Sequence, residues 1–157
     1  MLERIAGVPR NQFLKVAEEV MARFILLPEN PKPERIGGYI AVLEKVDNRI
    51  LLLAEIGSCP SDMLESLNIV QKEVRMYDRS ITAPYDSSGI KKGREIVGAF
   101  SGLVEHGNEA FMLVIWMIFR WITLEDAREI VSISKNELFN PLLNACTDLF
   151  DREVYVR

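Results

Sequence analysis

The chain has one histidine, two cysteines and no excess of basic charge. A lone His106, with no CxxC or HExxH pair, offers too few imidazole and thiolate ligands for a zinc centre, so no metal site is expected. The net charge is −4 with lysine and arginine scattered, which excludes an extended nucleic-acid footprint. No apolar run reaches the roughly 18 residues that a membrane helix needs. The longest is the nine residues Phe111–Phe119. The opening "MLERIAGVPR" has no signal-peptide core, so a cytoplasmic location is expected. There, Cys59 and Cys146, far apart in sequence, read as two thiols rather than a disulfide.

What is present describes a globular chain. Its 157 residues are 48% hydrophobic and 27% charged, enough for one domain over 1–157 with a sizeable core and too apolar for disorder. In "NQFLKVAEEVMARF", Phe13, Val16, Ala17, Val20, Met21 and Phe24 recur at helical spacing, with Asn11 as the candidate cap. "LPENPKPERIGG" carries three prolines and two glycines and must be a connection.

"YIAVLEKVDNRILLLAEI" reads as a hairpin turning at Asp47-Asn48, residues that tolerate a type I′ turn. A two-residue loop there pairs Leu43 with Leu52 and Ala41 with Ala54. The face carrying Ile40, Val42, Leu51 and Leu53, together with Glu44 and Glu55, is then too apolar for water. If nothing in the chain covers it, a monomer would expose a patch of several hundred Å², so a homodimer is expected, with an isologous interface built on that hairpin, through those four side chains, and its flanking helix. Glu44 and Glu55 fall at opposite hairpin ends, too far apart for a catalytic pair.

"SCPSDMLESLNIVQKEVRMYD" is a helix with Met63, Leu67, Val70, Val74 and Tyr77 on its stripe and Ser58 or Ser61 as cap. Residues 79–94 lack a period and read as a long loop. "EIVGAFSGLV" and "EAFMLVIWMIFRW" flank "EHGN" and read as a second hairpin with Gly107-Asn108 at its tip. The continuous run Phe111–Phe119 becomes a central strand buried on both faces. Thr123 and Asp126 make a capping box opening "LEDAREIVSIS". A last helix from about Ser134 must kink or restart at Pro141, most simply with Asn140 as a new cap, and "REVYVR" suits a short edge strand. The expected fold is α+β: an antiparallel four- to five-stranded sheet with packed helices, order α-ββ-α-ββ-αα, a profilin-like or PAS-like sandwich.

Candidate ligand-binding residues are few. Cys59 in "GSCPSD" stands at a helix start, where unpaired N–H groups favour a thiolate, and otherwise it is a small buried side chain at a corner. Tyr85, Lys91 and Arg94 in "YDSSGIKKGR" have the composition of an anion-holding loop but not the P-loop spacing. Arg120 ends the apolar run, either to bind a carboxylate or phosphate or to mark where the chain meets solvent. His106 has no serine or aspartate placed to make a triad.

The stretches "IAVLEKVDNRILLLAEIGSCPSDMLESLNIVQKEV" and "EIVGAFSGL" resemble the GlcG/HbpS-like family of small haem-linked proteins. Ala41-Val42-Leu43-Glu44 stand at its "AVVD" strand, and Gly57-Ser58-Cys59-Pro60 at its Gly-Ala-Pro corner. The resemblance implies haem as the cofactor to consider, with Cys59 thiolate, a type of axial haem ligand, as its candidate holder. With no coherent catalytic constellation, the expected function is a non-catalytic ligand-binding or protein-interaction domain, a sensor or assembly module. The alternatives are a haem- or thiol-dependent protein using Cys59, or an enzyme acting on a small anionic metabolite held by Lys91 and Arg94.

Overall fold

A computed structural model describes residues 4–45, 47–58, 64–76, 81–85 and 94–151. The chain opens with a two-stranded ribbon, β1 (Arg4–Ile5) and β2 (Val8–Pro9), and runs into helix α1 (Arg10–Ile25). All six apolar residues of the α1 stripe are buried, as their spacing requires. The helix begins one residue before Asn11, with Pro9 at the cap position and no side-chain cap. Strands β3 (Gly37–Glu44) and β4 (Arg49–Gly57) follow, then α2 (Leu64–Met76), β5 (Ile81–Tyr85) and β6 (Arg94–Ser101). Helices α3 (Glu105–Ile118), α4 (Leu124–Ser134) and α5 (Phe139–Ala145) and a 3-10 turn (Thr147–Asp151) complete the described chain. The architecture is α+β, and the main sheet is antiparallel with strand order β4-β3-β6-β5.

The largest correction concerns the greasy run. Residues 105–118 form α3, and the expected hairpin tip at Gly107-Asn108 is its first turn. Every residue from Ala110 to Phe119 is buried. The helix lies between β6 on one side and α1 and α5 on the other, and a helix enclosed in this way is apolar all round. A continuous apolar run reports burial on all sides, which a central strand and an enclosed helix share. β6 takes its partners elsewhere: β3 on one side and, on the other, β5, drawn from the segment read as a loop. Pro84, which cannot donate to a ladder, sits in β5 at the sheet edge, where proline is tolerated.

The β3–β4 hairpin forms, but with a four-residue connection, 45–48, in place of the two-residue turn. Asn48 alone of the expected pair takes a positive φ, 50°. The register moves with the loop: Val42 faces Leu52, Ile40 faces Ala54, and an irregularity between Val42 and Leu43 sets Leu43 against Ile50. A one-residue slip exchanges the faces of a strand. Leu52 and Ile56 therefore join Ile40 and Val42 beneath α1 and α3, while Leu53 turns toward α2 with Ala41, Leu43, Val97 and Ala99.

Three of the four side chains expected at an interface are covered within the chain itself. Ile40 and Val42 are 0% exposed and Leu51 is 6% exposed, closed over by the chain's own helices. Leu53, packed on the α2 side, is half-buried. The last helix starts at Phe139 rather than at a cap on Asn140, which puts Pro141 in its first turn, where no intrahelical N–H bond is lost. The tail "REVYVR" lies outside the described residues.

Candidate functional site

Three connections meet at one end of the helical layer. Past α1, the Leu27 and Asn30 N–H groups donate to Phe24 and Leu27 oxygens, curling the chain so that Glu29 and Pro31 face outward. Asn30 between them is buried; its Oδ1 accepts from the Lys32 N–H at 3.2 Å, and its Nδ2 has no partner. At the start of α3, Asn108 folds back and accepts the Leu103 N–H at 2.9 Å, while the Arg35 guanidinium donates to the Leu103 carbonyl at 3.3 Å. At the α4–α5 junction, Lys135 takes a left-handed φ of 62° and ends α4, and buried Asn136 turns the chain into Leu138.

These segments enclose an open cleft of about 600 Å³ lined by Glu29, Pro31, Val104, Glu105, His106, Glu137 and Leu138. Its size falls in the range of small-ligand sites. Among the described residues its lining holds three glutamates and a histidine, with no lysine or arginine. Glu105 belongs to the first turn of α3, where the helix dipole favours a carboxylate. Among the described residues no group of three or more His, Cys, Asp or Glu side chains is placed to hold a metal ion. His106 is half-buried in this lining, and its carbonyl oxygen accepts from Asn136 Nδ2 at 2.8 Å.

Of the residues weighed from the sequence, His106 lines this cleft and Arg120 does not. Tyr85 and Arg94 face each other across β5 and β6, but their side chains, like Cys59 and Lys91 as a whole, lie outside the described residues. Arg120 does not end a buried strand. It is the left-handed residue that terminates α3, at φ 63°, with its side chain exposed. Its N–H donates to the Met117 oxygen at 3.0 Å and the Trp121 N–H to the Trp116 oxygen at 2.9 Å, a Schellman pair closed by edge-on contact of the two tryptophans. Glu44 is fully buried and accepts from Arg49 at 3.1 Å, while exposed Glu55 stands opposite Tyr39 near the other end of the hairpin. The two carboxylates are as separate as expected.

Cys146, the second thiol, is buried in the helical layer, and that burial pushes its pKa up to about 11 against a weaker opposing pull from Arg23. It is therefore a packed, unreactive sulfur. Sequence reasoning missed the cleft because its residues come from three separated segments. Only a helical reading of "EHGNEAF" would have placed Glu105 and His106 together on an exposed first turn. Comparison of the chain with protein-family models, with curated proteins and with solved structures finds no match.

Proposed function

We propose that the chain is a non-catalytic binding module that receives a cationic group, an ammonium or guanidinium, in the cleft between the α1–β3 connection, the start of α3 and the α4–α5 junction. One observation carries this reading: Glu29, Glu105 and Glu137 border a single cleft whose remaining walls include Pro31, Val104 and Leu138 and, among the described residues, no lysine or arginine. Apolar walls beneath a carboxylate rim suit a lysine or arginine, whose aliphatic stem lies on the walls while its head meets the rim. Each partly exposed ion pair is worth on the order of 1 kcal/mol or less, so binding is expected to be weak and to fall as salt rises.

The test is an amide-resolved NMR titration at low ionic strength with putrescine, an oligolysine peptide and an oligoglutamate peptide of equal length. The reading expects oligolysine or putrescine to shift the amides of Glu105, His106 and Glu137, and oligoglutamate to leave them still. Glu29→Gln with Glu137→Gln should weaken the response about threefold to tenfold, the loss expected for two modest charge contacts. A response to oligolysine alone identifies a basic protein segment as the ligand, and one to putrescine alone a free polyamine. Silence of these amides toward both cations overturns the proposal.

A further inference from the structure

Asn136 is 5% exposed, and its one carboxamide spans the two sides of the cleft. Its Nδ2 donates to the His106 carbonyl at 2.8 Å and to Glu109 Oε1 at 2.9 Å, both on the first turns of α3. Its Oδ1 accepts the Leu138 N–H at 2.8 Å, on the opposite wall. Ser134 Oγ donates to the same Glu109 oxygen at 2.6 Å, so the last residue of α4 is tied into the network as well. The α5 side of this junction is also anchored by buried Leu138, Phe139 and Leu142, whereas α4 is held more lightly, by Ala127 with half-buried Ile130 and Val131. Ala127 is the one buried residue of α4, and Ile133 is 80% exposed.

We infer that Asn136 is the positioning residue of the cleft: it fixes the wall of Glu137 and Leu138 at a set distance from the wall of Glu105 and His106. This rests on the cleft being the binding site, and it adds what holds that site in shape. An asparagine is needed because the position must donate on one side and accept on the other. Aspartate there would lose both donated bonds and set a second carboxylate against Glu109. Leucine would take away the partner of the Leu138 N–H and of the His106 carbonyl and leave Glu109 Oε1 with Ser134 Oγ.

The experiment has two readouts on the full chain. The first, without ligand, is hydrogen exchange of the Leu138 amide together with the chemical shifts of the His106, Glu137 and Leu138 amides. Asn136→Asp should speed Leu138 exchange about tenfold or more, matching loss of a buried hydrogen bond, while amides in β3 and β6 keep their protection. The double variant Asn136→Asp/Glu109→Gln restores a donor–acceptor pair between the two positions and should recover part of that protection. If Asn136→Asp fails to fold, Glu109→Gln alone is read in its place and should shift the same three amides. The second readout is the oligolysine titration, in which Asn136→Asp should weaken binding about tenfold. Unchanged exchange and shifts overturn the positioning role whether or not the native chain binds oligolysine. A native chain that ignores both oligolysine and putrescine while its variant loosens at Leu138 overturns the cleft as a cation site instead.

Discussion

Among the described residues, strand β3 and helix α3 are both deeply buried, and both are rich in apolar residues. β3 lies between α2 and the α1/α3 layer, so both its faces are inside. Helix α3 lies between the sheet and two helices, so all its sides are inside. The strand announces itself through Gly37-Gly38 at its start, a turn after it and a partner of matching length. The helix announces only that it is buried. The difference teaches that continuous apolarity measures enclosure, while the type of element is decided by what remains for the neighbours to pair with.

The sharpest way to break the α3 side is Trp116→Ala. Trp116 is fully buried and sits against Gly98 of β6, where an added Cβ would approach its ring at 2.2 Å. Truncation should cost about 3–5 kcal/mol in urea unfolding, the usual cost of emptying a buried aromatic site. Gly98→Ala should cost roughly 1–3 kcal/mol by overpacking the same contact. Combined with Trp116→Phe it should cost less than the sum of the singles, because the smaller ring makes room. Additive costs would mean that α3 does not dock on β6 here.

The two segment ends sharpen the comparison further. Arg120 and Asn48 both hold a left-handed backbone, at φ 63° and 50°. Arg120→Gly should stabilise the fold by about 1 kcal/mol, because arginine has no local compensation in that conformation. Asn48→Gly should gain only roughly a few tenths of a kcal/mol, because asparagine tolerates it. Equal gains at the two ends would contradict this account of why α3 stops where it does.

The smallest expected effect near neutral pH comes from Cys146. Its folded pKa, raised by burial to about 11 from an ordinary 9.0, favours the fold below pH 9. That contribution is lost as pH rises from 9 toward 11, where the unfolded thiol ionises first. Unfolding midpoints measured from pH 7 to 11 should therefore decline only above pH 9. A chromogenic disulfide at pH 8 should reach this thiol only as the helical layer opens.

Legibility followed the range of the interactions. The capping box needs only Thr123 and Asp126 three residues apart, and both of its bonds are present, at 2.9 and 3.0 Å. The α1 stripe needs only its own period. The β3–β4 pairing was visible as a hairpin but not in its register, since a four-residue loop and a bulge change which side chains share a face. β5 was hidden because five residues with a proline resemble a connection until β6 is known to need an edge partner. The cleft was hidden more deeply, since Glu29 and Glu137 carry no local pattern at all.

Composition and local periodicity alone decided that this chain is α+β, that residues 10–25 coil, that 37–57 form a hairpin and that 111–119 lie wholly inside. Those outcomes depend on interactions within about a dozen residues and on water's rejection of apolar surface. Tertiary structure decided that the innermost run is a helix, that the chain covers its own sheet, and that Asn136 joins the start of α3 to the end of α4. Each of these depends on which distant segment fills the neighbouring space, and a linear pattern does not carry that information.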